Sequence, residues 1–139
     1  MNKTRFRFGD IYIVEFGAGI GCEQNGRRPA IIFQNNTGNA HSPNVIVLPI
    51  TSSLKNMHLP THVFLPADVV GLVKDSVVLC ENMVCISKDR IVRFVAKVPE
   101  CYMRDIAIAS VLATSAISYI DIDTLAEVVR ECKKLNEVA

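Results

Sequence analysis

Pro29-Ala-Ile-Ile-Phe33 and Asn44-Val-Ile-Val-Leu48 are two short apolar runs, rich in β-branched residues, with the polar stretch Asn35 to Pro43 between them. Runs of this length and composition read as buried strands, and the polar stretch reads as a loop. Working outward, Ile11-Tyr-Ile-Val-Glu-Phe16 is a third strand. It is separated from Pro29 by Gly17 to Gly26, whose four glycines mark a loop. Downstream, the strand from Asn44 continues into Pro49-Ile-Thr51. The loop-like stretch Ser52 to His58 follows, and then the alternating run Thr61-His-Val-Phe-Leu65. Asp68 to Val73 suits one helical turn ending at Gly71. Ser76-Val-Val-Leu-Cys80 and Arg90-Ile-Val-Arg-Phe-Val95 complete the set. Short strands at this spacing predict a mainly β (α+β) fold, built on a small antiparallel barrel.

The period then changes. Tyr102, Ile106, Ala109, Ala113 and Ile117 recur at helical steps, with Pro99 and Glu100 suited to the first turn. Thr124-x-x-Glu127 has the pattern of a capping box, and Leu125, Val128, Val129, Cys132 and Leu135 form one apolar stripe behind it. That stripe either packs on its own domain or meets a partner. The expected organisation is a barrel domain over residues 1–118 and a helical extension over 119–139.

Composition excludes several classes. The chain has 139 residues, half of them apolar and 21% charged, which suits one folded domain and not a disordered chain. The longest unbroken apolar run is four residues, too short for a membrane helix or a secretion signal, so a soluble, cytoplasmic protein with no membrane contact is expected. The net charge of +1 excludes a globally basic nucleic-acid glove. Residues 1–60 carry a small positive excess, which includes the pair Arg27-Arg28.

The five cysteines contain no Cys-x-x-Cys pair, and no zinc site or disulfide framework is expected. Cys80 and Cys85 read as buried thiols. His58 and His62 are four residues apart, but Pro60 breaks the helix that would bring them together on a metal. No metal and no cofactor are predicted. No local signature supports a Cys-His nucleophile.

The segment richest in chemistry is Gly21-Cys-Glu-Gln-Asn-Gly-Arg-Arg-Pro29, a flexible loop carrying a carboxylate, an amide and two guanidiniums straight into a buried strand. Arg28 precedes a proline, which biases it to an extended backbone at the rigid end of the loop. A guanidinium there can hold a phosphate through two parallel hydrogen bonds, or it can simply pair with Glu23. Thr51, Ser52 and Ser53 offer hydroxyls where another strand opens into a loop, either as ligands or as ordinary turn caps.

Together with Phe8-Gly-Asp-Ile-Tyr12, Phe33-Gln-Asn35, Gly38-Asn-x-x-Ser-Pro43, Leu59-Pro-Thr-His-Val63 and Lys74-Asp-Ser-Val-Val78, these segments form an ordered series over about residues 6–117. The series resembles the MazF/PemK-type toxins of bacterial toxin–antitoxin systems. The resemblance implies an SH3-like barrel with C-terminal helices, acting as a homodimer. It implies a metal-independent endoribonuclease that cuts single-stranded RNA at short sequences and is inhibited by a cognate antitoxin. It also implies that Arg28 is the main catalytic residue and Thr51 its partner, with Glu23 and Gln24 shaping the site. Some relatives assign an acid and a base to an Arg and an Asp further along. Leu79 and Glu81 stand at those positions here, so only the carboxylate is retained. Arg27 stands where a neutral residue is common, and adds a possible phosphate contact.

RNA supplies its own nucleophile, the 2′-hydroxyl. Arg28 suits charge stabilisation on the phosphate oxygens. Thr51 suits orientation of the same phosphate or of the hydroxyl. Glu23 or Glu81 suits proton removal. With no Trp and only 6% aromatic residues, base readout is expected from polar loop groups: Gln24, Asn25, Asn35, Asn36, Ser52, Lys55 and His58. The alternative is a non-catalytic toxin-fold module that grips a protein target such as DNA gyrase. A barrel that only dimerises would leave the Gly21–Pro29 motif without a use.

Overall fold

The protein is described by a computed structural model covering residues 5–21 and 25–137. In chain order the elements are β1 (Asp10–Glu15), β2 (Arg27–Ile32), α1 (Asn36–His41), β3 (Asn44–Thr51), β4 (His62–Leu65), α2 (Ala67–Val70), β5 (Ser76–Leu79), β6 (Val84–Ser87), β7 (Ile91–Lys97), α3 (Glu100–Leu112) and α4 (Ile122–Glu137). Three 3-10 turns lie at Cys80–Asn82, Lys88–Arg90 and Ala116–Tyr119.

The strands form a seven-stranded sheet with the path β4-β5-β3-β2-β1-β7, and β6 also pairs with β3. Every pairing is antiparallel. β3 is the axis. Its one edge takes β2, and its other edge takes β6 along Asn44–Val47 and β5 at Ile50 and Thr51. The turn Cys80–Asn82 joins those last two strands.

Both faces of the central strands are covered, which explains their unbroken apolar sequences. One face buries Ile11, Ile31, Leu48, Ile50 and Val78 against Ile106 and Ala109 of α3. The other buries Tyr12, Val14, Ala30, Ile32, Val45, Val47 and Ile86. Each fully buried branched side chain contributes roughly 1.5–3 kcal/mol of transfer free energy, so the sheet is a rigid base for whatever projects from its ends.

Several local expectations are corrected. The stretch Asn35 to Pro43 is not a plain loop, because Asn36–His41 is helical. Asn35 is its N-cap, and its side-chain oxygen accepts from the Gly38 N–H at 2.9 Å. Six residues rich in Asn and Gly carry no helical period to read. α3 stops at Leu112, so Ile117 falls in the following 3-10 turn. Thr124 is not the cap of α4. Asp121 holds that place, accepting from the Thr124 N–H at 2.7 Å and the Thr124 hydroxyl at 3.0 Å. Cys80 is buried as expected, but Cys85 is exposed on β6.

On α4, Leu125 is half-buried, and Val128, Val129, Cys132 and Leu135 are exposed. The helix is attached by its last turn. Asn136 accepts from the Asn36 backbone N–H at 2.9 Å, and its carbonyl accepts from the Asn36 side chain at 3.1 Å. The Thr37 hydroxyl donates to the Leu135 carbonyl at 2.7 Å. Among the described residues, no helix is long and apolar enough to cross a membrane.

Candidate active site

The loop between β1 and β2 is closed at its base by two glycines. The Phe16 N–H donates to the Gly26 carbonyl at 2.9 Å, and the Gly26 N–H donates to the Gly17 carbonyl at 2.8 Å. Gly17 and Gly26 have φ of 75° and 65°, the left-handed region that a side chain disfavours. This clasp fixes the start of β2, and the next two residues are Arg27 and Arg28.

Arg28 is therefore a strand residue, paired with Val14 of β1. Its Nε donates to the Asn25 carbonyl at 2.9 Å, and it is half-buried. On the other side of β2, Ala30 pairs with Pro49 and Ile31 with Leu48 of β3. The same register, carried two residues past the last pair, sets Arg28 opposite Thr51. Alternation along the strands puts both on one face, that of Ala30 and Pro49. The Thr51 hydroxyl oxygen accepts from the Ser53 N–H at 3.1 Å, which leaves its O–H free to donate elsewhere. Pro49 lines a cleft of about 700 Å³ formed with Phe16, Ala18, Gly19 and Ile20 and with Asn82 to Ser87. Arg28 also lines a groove of similar volume at the end of the hairpin, shared with Asn25, Arg27 and Ser52.

The remaining expected site residues are spread differently. Arg27 is exposed and its Nε meets Glu15 Oε2 at 3.2 Å. Lys55 and His58 are exposed in the connection between β3 and β4. Asn35 and Asn36 lie past the far end of β2, more than ~13 Å of strand from Arg28. Their side chains are engaged in capping α1 and in binding the Phe8 N–H, Asn39 and the end of α4. Glu23 and Gln24 lie outside the described residues.

Glu81 is held by a residue the sequence reading did not connect to it. His62 Nε2 lies 2.6 Å from Glu81 Oε1, and His62 Nδ1 lies 2.9 Å from the Asn56 carbonyl. Burial pushes the Glu81 carboxyl up. Hydrogen bonds with His62, its own backbone N–H and Thr61, together with the charge of His62, outweigh that and hold it below its ordinary value. Pro60 had drawn attention to what His62 could not do with His58. Nothing in the spacing pointed across 19 residues to Glu81.

Burial pushes the Cys80 thiol up to about 12, with the charge of Glu81 adding to it, so this cysteine is a protonated core residue and not a nucleophile. No cluster of three metal-ligating side chains occurs among the described residues.

What the arrangement offers is a half-buried guanidinium at the start of β2 and a hydroxyl at the end of β3, set across from each other by the extended register of two neighbouring strands. A family model described as PemK-like, MazF-like toxins of type II toxin–antitoxin systems matches residues 7–115. The chain belongs to this family. The Endoribonuclease MazF of Staphylococcus saprophyticus is 42% identical over 85 residues, 61% of this chain and 71% of the relative. The Endoribonuclease EndoA of Bacillus subtilis is 41% identical over 83 residues, 60% of this chain and 72% of the relative. A MazE–MazF structure from Deinococcus radiodurans aligns with a TM-score of 0.64 at 25% identity, covering 85% of this chain and all of that one. The family match ends before α4, so the helix that closes on α1 stands outside the PemK/MazF-like region.

Proposed function

We propose that this chain is a sequence-specific endoribonuclease toxin that cuts single-stranded RNA, messenger RNA included, without a metal. What supports this reading is the β2–β3 register, which carried past its last pair sets Arg28 across from Thr51, in a chain akin to proteins named endoribonucleases.

The 2′-oxygen attacks the phosphorus and the bond to the 5′-oxygen breaks. The products are a 2′,3′-cyclic phosphate and a 5′-hydroxyl end. Arg28 donates to the non-bridging oxygens as their charge grows, from a backbone already fixed in β2. Thr51 donates its hydroxyl to the same phosphate or orients the 2′-hydroxyl. One Glu81 oxygen is committed to His62 at 2.6 Å, which makes Glu81 a poor proton acceptor for substrate. Glu23 is the remaining carboxylate for proton removal, and Glu23→Gln tests it. The departing 5′-oxygen takes up a proton in the same step or from water. Asn25, Arg27, Ser52, Lys55, His58 and Gln24 form the recognition surface around the cut.

The protein acts in the cytoplasm as a homodimer, with residues 119–139 as an added helical segment. A cognate antitoxin restrains it, in keeping with the MazE–MazF pairing of the Deinococcus structure. The test is incubation with a long single-stranded RNA in EDTA beside Arg28→Ala, with the ends mapped. Discrete cuts with 5′-hydroxyl ends, lost in the variant, are expected. Intact RNA from the folded wild-type protein would sink the reading and point to a toxin that grips a protein.

A further inference from the structure

The groove at the hairpin end carries charge that the reaction at Arg28 does not use. Four cations line it: Arg27, Arg28, Lys74 and Arg93. No Asp or Glu is among the described residues lining it, in a chain whose net charge is only +1. Glu15 stands behind Arg27 and offsets part of its charge. Arg93 and Lys74 have no ion-pair partner among the described residues. Their placement follows from the register. Ile13 of β1 pairs with Pro29 on one side and with Arg93 of β7 on the other. Arg93 thus lies one row from Arg28 and two strand spacings, ~10 Å, across the sheet. Alternation gives it the face of Ile13 and Pro29, opposite to that of Thr51, and the groove at the hairpin end is where Arg28 and Arg93 share a lining. Lys74 closes the other wall from the segment after α2.

Resting on the ribonuclease reading above, we propose that this groove is a phosphate track. Arg93 and Lys74 hold backbone phosphates of the RNA that flank the one seated at Arg28. A strand anchored by Arg28 enters the groove through a residue that belongs to both sites. The groove then offers two unspent cations, with the hydroxyl of Ser52 as a neutral donor. Contacts of this kind position the strand without reading its sequence. The consequence is that RNA long enough to fill the track binds with a steeper dependence on salt than the cut site alone requires.

The test measures binding of an about 20-nucleotide, mixed-sequence 2′-O-methyl RNA by fluorescence anisotropy across a potassium chloride series. This RNA keeps every phosphate but has its nucleophile blocked. Removing two phosphate contacts lowers the slope of log affinity against log salt by about 1.4, at about 0.7 per contact for a single strand. That drop is expected for Arg93→Gln with Lys74→Gln. It is not expected for the charge-conserving pair Arg93→Lys with Lys74→Arg, nor for Arg104→Gln with Lys133→Gln, which removes the same charge elsewhere. Unchanged melting temperatures show that the variants are folded. Equal slopes in the groove and distant variants overturn the proposal. So does an unchanged RNA slope with loss of polyglutamate binding, which would give the groove to an acidic protein partner. Cleavage of unmodified RNA reports on the ribonuclease reading separately. If wild type cuts nothing yet the slopes differ as stated, that reading fails and the track stands.

Discussion

His62 lies on the edge strand β4 and Arg28 on β2, three strands away in the same sheet, and they use their hydrogen-bonding capacity in opposite ways. Both His62 ring nitrogens have acceptors, and its side chain is only 7% exposed. Arg28 spends one of its five donors on the Asn25 carbonyl and is half-buried at a groove mouth. A side chain whose partners are all internal contributes to stability. One held rigidly by its backbone with donors to spare is positioned for something that arrives. Sequence composition does not separate the two, since both lie in short polar stretches beside strands.

The largest expected effect sharpens this contrast. Arg28→Ala should lower RNA cleavage about 100- to 1,000-fold, read by single-turnover kinetics, with unfolding free energy within about 0.5 kcal/mol of wild type. A large loss of stability would place Arg28 with His62 instead. His62→Ala should behave in reverse. It leaves the Glu81 carboxylate and the Asn56 carbonyl without their partner and should cost about 2 kcal/mol in urea unfolding. Its cleavage rate per folded molecule should stay close to wild type. Thr51→Val keeps the shape and removes the hydroxyl, so cleavage should fall about tenfold, the worth of one hydrogen bond in the transition state.

The smallest effect is in pH. Glu81 titrates below 4.5 in the folded chain, so the unfolded chain binds its proton more readily. Its stabilisation is whole above about pH 4.5 and is lost as the pH falls through the lower folded value. Glu81→Gln should flatten that acid limb of the urea midpoint and leave the neutral range nearly parallel to wild type. A steep limb retained in the variant would remove Glu81 from the fully partnered cluster.

The strands of the central sheet were legible because both faces are buried, so Ile31, Leu48 and Val78 sit in unbroken apolar runs. α3 showed itself by period, and Gly71 by its place at the end of α2, where φ is 78°. α1 was not legible. Its signal is one capping asparagine, and Gly38 and Asn39 argue against a helix by composition. The apolar stretch around Cys85 read as strand-like, but its burial did not: two of the four β6 side chains are exposed, and the strand holds its place by pairing with β3, which is a tertiary effect. At the site, Arg28 and Thr51 were legible as motif positions, while their adjacency is a property of register. Arg93 and Lys74 could not be joined to them from the sequence, since they reach the same groove from β7 and from the segment after α2.

Asn36 joins segments that are made at very different times. Its side chain receives the Phe8 N–H, and its amide and backbone reach Asn136, a hundred residues later. A chain emerges from the ribosome N-terminus first, at about 5–20 residues per second. The sheet can therefore assemble for several seconds before Asn136 exists to meet its partner. The clasp between the two asparagines is a late event in the making of each molecule, and it separates chains that have grown past residue 136 from those that have not.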